Sequence, residues 1–124
     1  MRLHDPNVYD TVRTEGGDVL ADDVEVADGF LSRALGLMFR SSVSEGYALV
    51  FEFGRERSVS LHTVFVPFPI DAVFLDGNGA VRSVETLRPW LGYASERAET
   101  VVELPAGAAD LLERGEDLVF DEYN

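Results

Sequence analysis

SVSLHTVFVPFPIDAVFLDGNGAVRSVETL, residues 58–87, holds the densest β-branched and aromatic runs in the chain and its clearest turn signal. Val59–Val66 alternates: Val59, Leu61, Thr63 and Phe65 share one face, and Ser60, His62, Val64 and Val66 the other, which predicts a strand. Pro67 and Pro69 cannot donate ladder hydrogen bonds, so the chain must leave the sheet there or run along an edge. Ile70–Leu75 then re-enters with both faces largely apolar, which predicts a central strand. Asp76-Gly77-Asn78-Gly79 reads as a hairpin turn, because Gly and Asn tolerate positive φ, and Ala80–Leu87 pairs back. Asp71 stands out as a carboxylate set among Ile70, Ala72, Val73 and Phe74. A buried charge of this kind has to be paired or hydrogen-bonded, so it is expected to accept amides from the proline loop.

On the N-terminal side, residues 1–8 read as a loose end, and short strands are predicted near Tyr9–Arg13 and Val19–Val26. Asp28 is placed to cap a helix whose apolar positions are Phe30, Leu31, Ala34 and Leu35, with Gly36 ending it in a left-handed conformation. Tyr47–Phe53 alternates as a half-buried strand, and Gly54-Arg55-Glu56-Arg57 reads as a polar turn. On the C-terminal side, Arg88–Tyr93 is a loop carrying the only Trp, and Glu99–Leu104 is a strand. Pro105-Ala106-Gly107 opens a second helix over Ala108–Glu113, stopped by Gly115, and Leu118–Phe120 is a last short strand. Seven or so strands and two short helices without βαβ alternation predict a single α+β domain. Its sheet is expected to be compact and mainly antiparallel, with a curl that could approach a barrel.

The composition is globular, with 46% hydrophobic residues among 124, eight of them Phe. The charge is less ordinary. Asp and Glu total 23 against 10 basic residues, every one of them Arg, for a formal net charge of -13. The acidic residues spread along the whole chain, and missing Lys is a bias no single site needs. Adaptation to a salt-rich cytoplasm, as in a halophilic archaeon, explains both better than an acidic binding face does. Either reading counts against a nucleic-acid partner, which needs a positive stripe. The absence of Cys removes disulfides, thiolate nucleophiles and Cys-type zinc sites. No apolar run approaches a membrane span, and the N-terminus lacks the apolar core of a signal peptide, so a cytoplasmic protein without membrane partners is expected.

Candidate chemistry is sparse. His62 and Asp71 flank the proline loop and are the natural acid–base pair to test. A lone strand His is more often structural, and an Asp beside a turn more often bonds to amides. Asp76–Gly79 resembles the start of a calcium loop but has Ala80 and Val81 where that pattern needs a third donor and Gly. Asp18, Asp22, Asp23 and Glu25 read as a solvated acidic edge, so neither a metal nor another cofactor is expected. Arg88, Trp90 and Tyr93 form a loop of a composition common at ligand surfaces. With Pro67, Phe68, Pro69 and Asp71 they make the expected ligand-binding surface.

Several blocks, taken together, resemble the prokaryotic family known as domain of unknown function 192. They are Val24–Ala27, Arg33-Ala34-Leu35-Gly36-Leu37-Met38-Phe39-Arg40, the proline-then-Ile70-Asp71 step, Val73–Asp76 with its Gly turn, and Glu103–Gly107. The resemblance covers residues 19–120 and implies a compact, β-rich α+β domain with no assigned reaction. Where that family usually has Trp-Met-Lys-Asn, this chain has Leu61-His62-Thr63-Val64-Phe65. The expected function is a small binding or accessory module for a small molecule or protein partner, adapted to high salt. The alternative is a metal-independent enzyme using Asp71 and His62 as acid and base.

Overall fold

The fold is seen in a computed structural model that describes residues 4–5, 9–27, 37–38 and 40–122. Its strands are β1 (His4–Asp5), β2 (Tyr9–Thr14), β3 (Val19–Ala21), β4 (Asp23–Ala27), β5 (Tyr47–His62), β6 (Ile70–Leu75), β7 (Val81–Leu87), β8 (Tyr93–Pro105) and β9 (Leu118–Glu122). Six of them form one sheet in the order β1-β4-β5-β8-β6-β7, and three form a second in the order β3-β2-β9. Among the described strands only β4 and β5 pair in parallel, joined by the crossover over residues 28–46 that a parallel pair requires.

The structure corrects the α+β expectation. No helix occurs among the described residues, the larger sheet ends in free edges at β1 and β7 instead of closing into a barrel, and the domain is mainly β. The helix expected from Asp28 to Gly36 lies outside the described residues. The helix expected over Ala108–Glu113 is instead a run of turns, and the reason is local. Gly107 has φ of 96°, outside any right-handed helix. Ala108, Asp110 and Leu112 each donate their amide three residues back, to Pro105, Gly107 and Ala109. The amides of Gly107 and Ala109 leave the turn altogether and bond to the Asp71 carboxylate.

A second correction concerns Gly54–Arg57. These residues do not turn the chain; they bulge a single long strand. Glu52 pairs with Thr100 and Arg57 with Ala98, so Phe53 to Glu56 on β5 face only Glu99 on β8. Gly54, at φ of 78°, supplies the left-handed step that bends the strand. Beyond the bulge, β5 and β8 continue as a two-stranded ribbon from Arg57–Ala98 to His62–Tyr93.

The larger sheet buries both faces, as the fully buried β6 between β8 and β7 shows. On one face, Val24, Val50, Val73, Leu75, Val102 and Leu104 pack with Val12, Ala21 and Leu118 of the small sheet and with Ala109 of the turn run. On the other, Leu49, Phe51, Ala72, Phe74 and Val101 pack with Leu37 and Val43 of the crossover. Val59, Leu61, Ala94 and Ala98 from the bent ribbon join this second cluster. Two layers of apolar side chains thus hold one sheet between them, and the ribbon's far end carries the loops described next.

Candidate functional site

At the end of the ribbon two loops are tied together by one threonine. Thr63 is fully buried; its amide donates to the Gly92 carbonyl at 3.1 Å. Its hydroxyl donates to the Arg88 carbonyl at 2.6 Å and accepts the Gly92 amide at 2.7 Å. A hydroxyl can do both at once, whereas a Val of the same shape could do neither. Trp90 adds an amide bond to the Val66 carbonyl at 3.1 Å. Gly92 is required by space. A Cβ there would stand 2.7 Å from the Leu87 Cβ and 2.9 Å from both the Arg88 carbonyl and the Thr63 hydroxyl.

This clamp holds two aromatic residues in conformations they do not choose for themselves. Phe65 has φ of 63° and Trp90 φ of 64°, the left-handed region that costs a residue with a Cβ roughly 1–2 kcal/mol each. Their rings meet edge to face with centroids 5.1 Å apart. Even so, both remain open to solvent, at 42% and 48%, beside Leu91 at 73% and Tyr93 at 67%. Val64 is exposed as well, and Pro67 and Pro69 border the same loop. Phe68 faces the other way, half-buried against the core. The product is a rigid apolar ledge.

Along the ribbon's outer face, beside this ledge, run three register pairs: Ser58 with Arg97, Ser60 with Ser95, and His62 with Tyr93. All six are exposed. The Tyr93 hydroxyl bonds to Ser60 at 3.3 Å, and Ser60 to Ser95 at 3.3 Å. His62 accepts the Val64 amide on Nδ1 at 3.2 Å, which leaves Nε2 to carry the proton of the neutral ring.

Asp71 is elsewhere. His62 stands on β5 opposite Tyr93, and Asp71 on β6 between Thr86 of β7 and Leu104 of β8. Asp71 is 1% exposed. Its Oδ1 accepts the Thr86 hydroxyl at 2.7 Å, and its Oδ2 accepts the amides of Gly107 and Ala109 at 2.9 and 3.0 Å. The last two bonds are an amide capture of the kind expected of it, but the loop it holds is the turn after β8, not Pro67–Pro69. The structure therefore gathers Pro67, Pro69, Arg88, Trp90 and Tyr93 at the exposed ledge with His62, and buries Asp71 within the sheet. The side chains of Thr63, Phe65 and Leu91 complete the ledge and were not legible as site residues.

A second polar group lies inside the fold. Glu25 on β4 and Glu103 on β8 both pair with Leu49, so the three share one row and one face of the sheet, with Tyr47 two residues along. Arg40, from the crossover, reaches Glu25 at 3.4 Å and stacks over the Tyr47 ring at 5.1 Å. Glu103 is 5% exposed, and its Oε1 has no hydrogen-bond partner among the described residues. Burial pushes its carboxyl up to about 7, with Arg40 pulling weakly the other way. Burial also raises the Tyr47 phenol, and the nearby Arg40 opposes that. The Tyr47 hydroxyl makes no hydrogen bond, although the Glu25 carboxylate stands near enough to raise it further.

A mainly β domain of two stacked sheets, with an aromatic ledge where one sheet outruns the other, is the class this structure defines. Residues 11–120 match the model of DUF192, a family described as "Uncharacterized ACR". The chain belongs to that family, as the sequence blocks implied. It is 41% identical over 93 residues to a UPF0127 protein of Pyrococcus horikoshii, covering 73% of this chain and 78% of the relative. To a UPF0127 protein of Pyrococcus furiosus it is 36% identical over 99 residues, covering 77% and 83%. Among solved structures, a Sinorhizobium meliloti protein described as a candidate transcription regulator superposes with a TM-score of 0.77 at 26% identity, over 89% of this chain and 90% of that one. A protein of unknown function from Novosphingobium aromaticivorans superposes with a TM-score of 0.73 at 20% identity, over 88% and 81%, and shares the fold.

Proposed function

We propose that this chain is a recognition module that binds a partner through the ledge of Phe65, Trp90, Leu91 and Tyr93. The observation that carries this reading is the pair of left-handed aromatics. Backbone strain at two adjoining bulky residues persists only where surrounding structure enforces it, and such strain concentrates at functional sites. Here it presents two adjoining rings to solvent. Exposed, rigid aromatics of this kind anchor partners at low entropic cost.

The acid–base alternative has no comparable support, since the Asp71 carboxylate is buried and taken up by Thr86, Gly107 and Ala109 while His62 is exposed. The acidic, Lys-free composition fits a module working in a salt-rich cytoplasm. Among the described residues no helix is long and apolar enough to cross a membrane.

Trp90 is the only Trp, so its fluorescence reports on the ledge alone. Random dodecapeptides displayed on phage can be selected on the wild-type protein and counter-selected on Trp90→Asn, since Asn accepts the left-handed conformation. Peptides that bind the wild type, shift Trp90 emission and ignore the variant are expected. A selection that yields no binders, or only binders indifferent to Trp90, would sink the reading.

A further inference from the structure

The distribution of carboxylates says what chemistry the partner brings. None of the 23 acidic residues falls in residues 57–70 or 86–95, although both segments border runs that hold several. The clamp of Thr63, Gly92 and Arg88, with the His62–Tyr93 pair, makes these two segments one continuous end of the molecule. Into that end the chain places Arg57, His62 and Arg88, with Arg97 on the adjoining outer row. The ion pairs of the described residues use Arg13, Arg40 and Arg82, and so leave these three arginines available, while His62 offers its Nε2 proton. Arg57 lies over the Phe53 ring, and Arg97 makes one long bond, at 3.5 Å, to the Glu56 carbonyl. Arg88 and His62 face solvent.

An acidic surface keeps its water tightly, and stripping hydrated carboxylates costs several kcal/mol per ion unless each is paired. A surface destined for burial against a partner is therefore where an otherwise acidic chain has most reason to omit them. Omission alone would serve any apolar partner, but the cations are additional. They select a partner that carries negative charge beside its apolar groups.

We propose that this end docks an extended segment of another protein that sets apolar side chains against Phe65 and Trp90 and carboxylates against His62, Arg88 and Arg97. The proposal rests on the recognition reading above and names the chemistry of its partner. A second copy of this chain fits less well, because a two-fold contact through this end would set Arg88 and Arg97 against their own copies with no carboxylate between them. A nucleic acid fits less well too, because its many phosphates would feel the net charge of -13 beyond the patch.

The same selected dodecapeptides carry the test. Asp and Glu should be enriched among them over the starting library, and exchanging their Asp for Asn should weaken binding about tenfold. Selection on Arg88→Gln/Arg97→Gln, neither of which packs in the core, should keep the apolar residues and lose the acidic bias. Peptides without acidic bias that still need Trp90 would overturn this inference and leave the recognition reading standing. An absence of Trp90-dependent peptides would overturn both. Tighter, arginine-dependent binding of a labelled oligouridine, or Trp90-dependent self-association in sedimentation, would overturn it in favour of those partners.

Discussion

Replacing Glu103 with Gln should stabilise the protein at alkaline pH and leave it almost unchanged in acid. The carboxyl is raised from its ordinary 4.5 to about 7, with burial as the main cause. Because the folded pKa lies above the unfolded one, the folded state holds the extra proton between those two values. Stability from this group is then complete below pH 4.5, falls as pH rises toward 7, and is constant beyond. A shift of that size corresponds to roughly 3 kcal/mol, since each pKa unit is worth about 1.4 kcal/mol. Gln keeps the shape and stays neutral, so it escapes the loss while leaving the same row of Leu49 and Tyr47 intact. Urea unfolding of both proteins from pH 4.5 to 8.5, at one fixed KCl concentration, isolates the effect as a difference of differences. The wild type should lose ground to the variant steadily across that window. A gap that does not change with pH, or one that favours the wild type above pH 7, would refute the reasoning. It would mean that Arg40 turns from Glu25 to compensate the Glu103 charge fully.

The other expectations concern the clamp, the turn and the surface charge. Asp71→Asn should cost roughly 1–3 kcal/mol, and Asp71→Ala at least as much, because the amides of Gly107 and Ala109 lose a charged acceptor; denaturant unfolding checks both, and wild-type stability in each would show that Asp71 does not hold the turn. Gly92→Ala should cost about 1–3 kcal/mol and red-shift Trp90 emission, since its Cβ would meet Leu87 and the Arg88 carbonyl; an unchanged spectrum and melt would show that the two loops move independently. Melting temperature should rise with KCl, because screening relieves repulsion that the fold concentrates; a flat or falling series would end the salt-adaptation reading.

The parts of the fold that were legible are those in which a residue's neighbours in sequence are also its partners in space. The Asp76–Gly79 turn is one. Asp76 Oδ1 accepts the amides of Asn78 and Ala80, and Gly79 takes φ of 84°, which the composition foretold. Its carboxyl is held below the usual range by those same amides, Ala80 first. The apolar run of β6, broken only by Asp71, likewise announced burial on both faces. What failed was decided at a distance. Ala108, Ala109 and Leu112 have helical spacing, but Gly107, its amide held by Asp71 of β6, takes φ of 96°, and the amides of Ala108, Asp110 and Leu112 close on carbonyls only three residues back. Gly54–Arg57 has turn composition, but pairing with β8 resumes at Arg57, so the residues become a bulge. Nothing about Thr63 or Gly92 marks them as a clamp until β5 and β8 are known to end together. Glu103 follows Val101 on the same face of β8, and only the crossover above that face makes it a buried charge.

Asp71 and Thr63 solve the same problem for two different loops. Each is a buried polar side chain on or just beyond a strand of the main sheet, and each captures backbone groups of a loop that has left the ladder. The outcomes differ because of what the loops carry. Asp71 closes over Gly107, Ala108 and Ala109, small residues that let the turn settle onto the apolar layer and bury Ala109. Thr63 closes over Arg88 to Gly92, and Gly92 fills all the space the contact allows. The large side chains of that loop therefore have no route into the core, which Leu87, Val66 and Phe68 already occupy. Trp90 is left outside, with Phe65 as its neighbour, in a conformation its own chemistry disfavours. A loop that existed only to join β7 to β8 would be relieved of strain by Gly or Asn at position 90. Keeping the chain's only Trp there makes sense where the ring itself is wanted at the surface.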